Sequence, residues 1–174
     1  GQLGLVIADV SDKGMPAAVF MALTRSTIRA TVSQLASPAD AIAEANRLIC
    51  ADSADGMFVT LFYAQLEPAS GVLTYVNAGH NPPLLCRAGD QGGAEVLEEL
   101  RPTGMALGIV EDFPFEQRTL ELQPGDSILL YTDGVPDASN EDQEQFGMER
   151  LRRVILKRRT APVADMVSAL EQAI

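Results

Sequence analysis

Residues 3–14 read LGLVIADVSDKG, a short apolar run that ends in an aspartate and a polar turn. The segment from Leu3 to Ala8 is continuously apolar and partly β-branched, which predicts a strand buried on both faces. Asp9 follows directly, at the point where such a strand would leave the core. A carboxylate there is costly unless a cation, hydrogen-bond donors or water compensate its charge. Asp9 is therefore the first candidate functional residue.

Two helices are predicted after this strand. Pro16 suits the first turn of a helix that runs to about residue 33. Three apolar residues of this helix keep helical spacing: Val19, Leu23 and Ala30. Core packing is the preferred interpretation of this face, and a dimer surface is the alternative. Ser37 and Pro38 are typical of the N-cap and first position of a second helix, which is predicted to end near Cys50.

A run of antiparallel strands is predicted next. Residues 57–64 (MFVTLFYA) are apolar at both parities, so neither face of that strand should meet water. Residues 67–71 form a hairpin loop before a return strand at 72–76. Shorter strands are expected near 84–86, 94–99, 115–122 and 127–132, with a flexible turn at 89–93, and helices should begin near Gly147 and Pro162. This order predicts an α+β fold: an antiparallel β-sandwich flanked by helices in α/β/β/α layers.

A second aspartate repeats the pattern of the first. Asp133 follows the apolar run SILLYT at residues 127–132 and precedes Gly134. Small or flexible residues after each aspartate would let a metal ion and its waters approach the backbone. A turn or helix cap is the alternative explanation for either aspartate taken alone.

Charge and cysteine content exclude several classes of function. The net charge of −11 over 174 residues argues against general nucleic-acid binding. Residues 150–159 are nevertheless basic, which predicts a solvated helix face with cations near its C-terminus, or a docking site for an acidic partner. Cys50 and Cys86 lack metal-ligand spacing and fit a reducing cytoplasm. No apolar run approaches the roughly 18 residues of a membrane span, so no membrane contact is expected from this segment.

Several motifs, in order, resemble those of the SpoIIE/RsbU-type phosphatases of the PPM (type 2C) family. The segment IADVSDKGMPAA at 7–18 is similar to a DVSGKG-type motif, and YVNAGHNPP at 75–83 is similar to an NAGHxPP turn. PGDSILLYTDGV at 124–135 resembles the PGD and YTDGV strand of that family, and FG at 146–147 matches its helix start. The resemblance runs from about residue 3 to residue 155.

This resemblance implies a dinuclear Mn²⁺ or Mg²⁺ site that activates a water for attack on phosphoserine or phosphothreonine. Asp9 and Asp133 would be the catalytic carboxylates and metal ligands, and the Val10 carbonyl a further metal ligand. The family pattern also has an aspartate upstream of the first matching strand and another near the C-terminus, and neither occurs in these residues. Residues 1–174 are therefore expected to be a single phosphatase domain that is truncated at both ends and lacks its first and last strands.

The expected substrate, by analogy with the family, is a phosphorylated regulatory protein with a STAS (anti-anti-sigma) domain. A second copy of the chain, bound through helices near residues 15–50 to form a homodimer, is a further expected partner. A non-catalytic binding module and a small-molecule phosphoester hydrolase are the alternative functions. His80, the one histidine, is expected to be structural, with a ring nitrogen satisfying backbone groups, and Asp137 is expected to be an ordinary loop residue.

Overall fold

The computed structural model describes residues 1–52, 56–89 and 97–174. The elements in chain order are β1 (Leu3–Val10), α1 (Met15–Gln34), α2 (Pro38–Asp52), β2 (Val59–Glu67), β3 (Val72–Ala78), β4 (Leu84–Cys86), β5 (Leu97–Glu99), β6 (Arg118–Glu121), β7 (Ser127–Leu129), α3 (Gly147–Arg158) and α4 (Val163–Ala173). They form two compact units, Gly1–His80 with Arg101–Glu121, and Asn81–Leu100 with Leu122–Ile174. Among the described residues, no helix is long and apolar enough to cross a bilayer.

The first unit is a four-stranded antiparallel sheet with two helices packed on one face. Its strand order is β1-β2-β3-β6. The buried core between helices and sheet draws on α1, α2, β2 and β3; its members include Phe20, Ile28, Ile42, Ala45, Ile49, Val59, Leu61, Tyr63 and Val76. Phe62 and Ala64 point to the opposite face of β2 and are also buried. This confirms that neither face of this strand meets water.

Two predictions about this unit are wrong. β1 is an edge strand of the described sheet, and Leu3 and Val6 are about half exposed, at 50% and 51%. The apolar run predicts burial on both faces, but burial also depends on whether other elements cover those faces. On α1, Val19 is 63% exposed, and the buried face is formed by Phe20, Thr24, Ile28 and Thr31 instead.

Other local predictions for the first unit are confirmed. The Ser37 hydroxyl accepts a hydrogen bond from the Asp40 N–H at 3.3 Å, as an N-cap residue of α2 should. The β2–β3 hairpin turns where predicted, with the N–H groups of Ser70 and Gly71 donating to the Glu67 carbonyl. The polar loop chemistry between two apolar strands was sufficient to locate this turn.

The second unit is a three-stranded antiparallel sheet of order β5-β4-β7, on which α3 and α4 pack. Its core includes Leu84, Cys86, Tyr131, Phe146, Leu151, Ile155, Met166 and Leu170. β7 ends at Leu129 rather than at residue 132, so that predicted strand is shorter than expected. β5 begins at Leu97; residues 94–96 of the predicted strand, and residues 90–93 of the predicted turn, lie outside the described residues.

The predicted solvated face of the basic segment is confirmed in α3. Lys157 and Arg158 occupy its last turn, where cations complement the helix dipole. Arg150 pairs with Glu144, and Arg152 pairs with Glu99, both at the surface. The two antiparallel sheets and four helices of the described residues confirm the predicted α+β class.

We expect the buried carboxylate of Asp126 to stabilise the second unit in a pH-dependent way. Its side chain, 2% exposed, accepts hydrogen bonds from the N–H groups of Gln123 and Ala88 and from Arg87. Burial alone would raise the pKa of Asp126, but these donors outweigh it and the pKa is lowered. The stabilisation is therefore present above the pKa of an unfolded aspartate, about 3.9, and is lost as pH falls towards the lower native pKa.

Asp126→Asn should lower the free energy of unfolding at pH 7 by about 1–3 kcal/mol. The difference in free energy of unfolding from the unsubstituted protein should narrow below about pH 4, because the unfolded carboxylate then binds a proton while the native carboxylate, with its lower pKa, is still charged. Thermal unfolding followed by circular dichroism between pH 3 and 7 measures both effects. Glu141→Gln, at an exposed loop position, is the matched control and should change little. A gap that stayed constant down to pH 3 would contradict this account.

A tight turn at Gly79 gives a second stability prediction. Gly79 has φ +69°, and a Cβ atom placed there would lie 2.9 Å from the backbone nitrogen of Ala106. Gly56 has a similar φ of +73° but open space around it. Gly79→Ala should therefore cost at least about 1 kcal/mol more than Gly56→Ala, since only the first adds a backbone clash to the shared cost of positive φ. Equal decreases in the free energy of unfolding of the two variants, measured by urea denaturation, would rule out the clash.

Candidate metal and active site

Asp9 lies in β1 directly opposite Thr60 of β2, in the first unit. Its side chain is half-buried. Within residues 1–52, 56–89 and 97–174, no donor or cation forms a hydrogen bond or ion pair with its carboxylate. A partly desolvated negative charge without such partners favours a bound cation or ordered water.

The backbone that follows Asp9 is held firmly against β2. The Ser11 N–H donates to the Phe58 carbonyl at 3.0 Å, and the Phe58 N–H donates to the Ser11 hydroxyl at 3.1 Å. In a trans peptide the C=O points opposite to the next N–H. Because the Ser11 N–H points towards β2, the Val10 carbonyl points away from it. This orientation is compatible with the predicted role of the Val10 carbonyl as a metal ligand.

Thr60 is a residue near Asp9 that sequence reasoning missed. Its hydroxyl oxygen lies 2.9 Å from Nδ1 of His80 and 3.4 Å from the Asp9 carbonyl oxygen. The one available signal is that Thr60 is the only polar residue in the apolar stretch 57–62. Such a signal does not reveal which residue lies opposite, because register is set by tertiary pairing.

His80 is buried, at 2% exposure, at the end of a tight turn. Its backbone N–H donates to Oδ1 of Asn77 at 2.8 Å. The Asn77 carbonyl accepts hydrogen bonds from the N–H groups of Thr103 and Gly104. The ring was expected to satisfy backbone groups, whereas Nδ1 contacts the hydroxyl of Thr60.

Asp133 lies in the second unit, four residues after β7 ends, and is exposed. Its carbonyl accepts a hydrogen bond from the Asp137 N–H at 2.9 Å, so the two residues span a tight turn. The Asp133 carboxylate has no hydrogen bond or ion pair in the part of the chain that the structure describes. Asp137 is itself exposed in this loop.

The structure brings Asp9, Val10, Thr60 and His80 together in the first unit and places Asp133 in the second. No group of three or more histidine, cysteine or acidic residues that could hold a metal ion occurs among the described residues. The chemistry of the available donors still fits Mg²⁺ or Mn²⁺, because carboxylate and carbonyl oxygens are hard ligands. This fit rests on the outward Val10 carbonyl and on the Asp9 carboxylate, which has no partner among the residues that the structure describes.

The two cysteines are poor candidates for a nucleophile. Cys50 is half-buried and Cys86 is buried, and both are free thiols. Burial raises the pKa of each thiol. Since the thiolate is the reactive form, neither residue is activated for covalent catalysis.

Comparison with known proteins extends the similarity over the whole chain. The family model for stage II sporulation protein E (SpoIIE) matches residues 1–174. The phosphoserine phosphatase RsbU of Bacillus subtilis is 30% identical over 140 residues, which cover 80% of this chain and 41% of RsbU. The chain thus spans less than half the length of this relative.

Solved structures show the same fold. The crystal structure of the RsbU and RsbW domains of Rv1364c from Mycobacterium tuberculosis has a TM-score of 0.80 and 26% identity, over 99% of this chain and 47% of that one. The PP2C phosphatase domain of SpoIIE from Bacillus subtilis, solved with a fragment of its regulatory domain, has a TM-score of 0.74 and 19% identity, over 99% and 49% of the two chains. Since the family model spans every residue and the fold agrees, the chain belongs to the SpoIIE/RsbU-type family of PPM (PP2C) phosphatase domains.

Proposed function

We propose that the chain is most of the catalytic domain of a metal-dependent protein phosphatase that hydrolyses phosphoserine or phosphothreonine. The observation that carries this proposal is the half-buried carboxylate of Asp9, which lacks a partner among the described residues and is followed by the outward carbonyl of Val10. RsbU, a relative of this chain, is named a phosphoserine phosphatase, which supports the same reaction here.

The proposed ligands of Mn²⁺ or Mg²⁺ are the carboxylates of Asp9 and Asp133 and the carbonyl of Val10. When bound, two such ions lower the pKa of water and neutralise charge on the phosphoryl oxygens. The remaining carboxylates would come from the two family motifs expected beyond Gly1 and Ile174, so residues 1–174 would form one truncated domain.

The residues of this chain contribute position and access. Pairing of β1 with β2 fixes the backbone on both sides of Asp9, so its carboxylate presents a charge at a constant place. The exposed Asp133, followed by Gly134, leaves room for a phosphorylated loop to approach. A covalent phosphoenzyme is not required, and both cysteine thiols have raised pKa values that disfavour one.

A phosphorylated STAS-domain regulatory protein is the proposed substrate. Residues 11–14, after Asp9, are exposed in the first unit, and residues 133–134 are exposed in the second, which supports approach by the loop of a protein substrate to each aspartate. One solved neighbour contains an RsbU domain together with an RsbW domain, and this combination supports a protein partner for this chain. Specificity for the substrate would then come from contacts between the phosphatase and parts of the substrate protein other than its phosphoryl group.

A homodimer through the helices near residues 15–50 is a second proposed partner. Met15, Val19 and Leu23 form an exposed apolar row on α1 with the spacing of successive helical turns. Such a row supports an interface, since the burial of apolar side chains away from water lowers the free energy.

The free thiols of Cys50 and Cys86 support a reducing, cytoplasmic location.

In the full-length protein, Asp9→Asn and Asp133→Asn should each lower turnover of p-nitrophenyl phosphate by at least about 100-fold, because each removes a charged metal ligand. Activity should require Mn²⁺ or Mg²⁺ and disappear with EDTA. Residues 1–174 alone should be nearly inactive, since the expected flanking ligands are absent. Steady-state phosphate release with each metal gives the comparison.

Asp112→Asn and Asp142→Asn are the matched controls, because both residues are exposed acids in the same two units. They should retain full activity, and circular dichroism should show that all four variants are folded. Turnover that resists EDTA, or Asp9→Asn with activity equal to Asp112→Asn, would refute the proposed metal site.

The substrate class makes a separate prediction. Phosphate release from a phosphorylated STAS protein should exceed that from free phosphoserine by at least about 100-fold in kcat/KM, which corresponds to roughly 2.7 kcal/mol of additional transition-state binding. The two substrates should be compared at matched concentrations with saturating Mn²⁺. Equal rates, or a preference for a small phosphoester, would favour the metabolite-hydrolase alternative.

A further inference from the structure

We propose that Thr60 and His80 are positioning residues that hold the main chain at Asp9 through a two-step hydrogen-bond relay. This inference rests on the proposed function, because it assigns the relay to the segment that would bind metal. The relay joins three atoms of the first unit: Nδ1 of His80, the hydroxyl oxygen of Thr60 at 2.9 Å, and the Asp9 carbonyl oxygen at 3.4 Å from that hydroxyl.

The Thr60 hydroxyl has a single hydrogen, and this decides which group donates in each of its two contacts. A threonine hydroxyl has one hydrogen to donate and lone pairs that can accept. If that hydrogen goes to the Asp9 carbonyl, the contact with His80 is a hydrogen bond only when Nδ1 carries a hydrogen. If it goes to Nδ1, the contact with the Asp9 carbonyl has no hydrogen. Both contacts can therefore be hydrogen bonds only when His80 is protonated at Nδ1.

His80 is suited to orient the hydroxyl because its own position is fixed. The ring is buried, and the backbone N–H of His80 donates to the Asn77 side chain. The preceding residue, Gly79, lies so close to Ala106 that a Cβ atom would not fit. A ring held in this way can keep the Thr60 hydroxyl directed at β1.

The target of the relay lies next to the proposed ligands. The Asp9 carbonyl belongs to the peptide plane between Asp9 and Val10, and the next plane is fixed by the Ser11 N–H bond to Phe58. Together these contacts restrain rotation on both sides of Val10, whose carbonyl points away from β2. Residues that orient a ligand in this way change metal affinity or activity by about 10–100-fold when they are mutated.

The first experiment is nitrogen NMR of the imidazole in the 174-residue chain at pH 7.5. His80 is its only histidine, so the ring signals need no further assignment. We expect a hydrogen on Nδ1 that couples to that nitrogen. A ring protonated only at Nε2 would overturn the relay. This readout involves neither metal nor activity, so a negative result here leaves the proposed phosphatase function standing.

The second experiment measures Mn²⁺ affinity by calorimetry in the full-length protein. Thr60→Val, which keeps the shape but removes the hydroxyl, should weaken Mn²⁺ binding by about tenfold or more, and Thr60→Ser should restore it. His80→Asn places an amide N–H near the position of Nδ1 and should retain more affinity than His80→Gln, which places its amide near Nε2.

The two variant pairs separate positioning from simple stability. Thr60→Val and Thr60→Ser are to be compared at a temperature where both are fully folded by circular dichroism. If Thr60→Val binds Mn²⁺ as tightly as the unsubstituted protein, the relay has no positioning role. If the unsubstituted protein itself fails to bind Mn²⁺, the proposed metal chemistry fails, and the NMR result still decides whether the relay exists.

Discussion

The antiparallel pairing of β1 with β2 is the constraint on which the candidate site depends. Eight consecutive residues of β1 are in register with β2, and the last pairs place Asp9 opposite Thr60. On the other side of β2, Val59 exchanges both backbone hydrogen bonds with Leu107, at 2.8 and 3.0 Å. One short segment of β2 therefore positions the acidic end of β1 and also anchors the loop that packs against Gly79.

The register also places Asp9 and Thr60 on the face of the sheet that does not contact the helices. Val59, Leu61 and Tyr63 belong to the core shared with α1 and α2. Side chains alternate along a strand, so Thr60 and its cross-strand neighbour Asp9 lie on the opposite face. The helices thus stabilise the sheet without covering Asp9, whose side chain is half-buried on the other face.

Much of the fold could be predicted from the sequence, because turns and caps have local signals. Ser37 and the hairpin loop at 67–71 were located by residue type alone, and the structure confirms both. The buried face of α1 could not be predicted, because apolar residues occur on more than one side of this helix. Thr24 and Thr31 are buried, whereas Val19 is exposed, so hydrophobicity alone selects the wrong face.

The candidate site was predictable only in part, for a related reason. Asp9 and Asp133 stand out because each follows an apolar run, and that signal is local. Thr60 and the Nδ1 contact of His80 depend on pairing between segments 20 to 51 residues apart, which no local pattern encodes. The exposure of Leu3 and Val6 in β1 could not be predicted, because an apolar run reports hydrophobicity and not whether other elements cover the faces of the strand.

A comparison of two acidic residues shows why Asp9 is the stronger candidate for metal binding. Asp126 is almost fully buried, but two backbone N–H groups and Arg87 neutralise and solvate its carboxylate. Its interactions are complete within the protein, which is what a structural role requires. Asp9 is half-buried and has no comparable set of donors among residues 1–52, 56–89 and 97–174. A desolvation cost, smaller than that of Asp126, thus remains to be offset at Asp9 by something other than these residues, and a divalent cation with its bound waters has the charge and the ligand preference to do so.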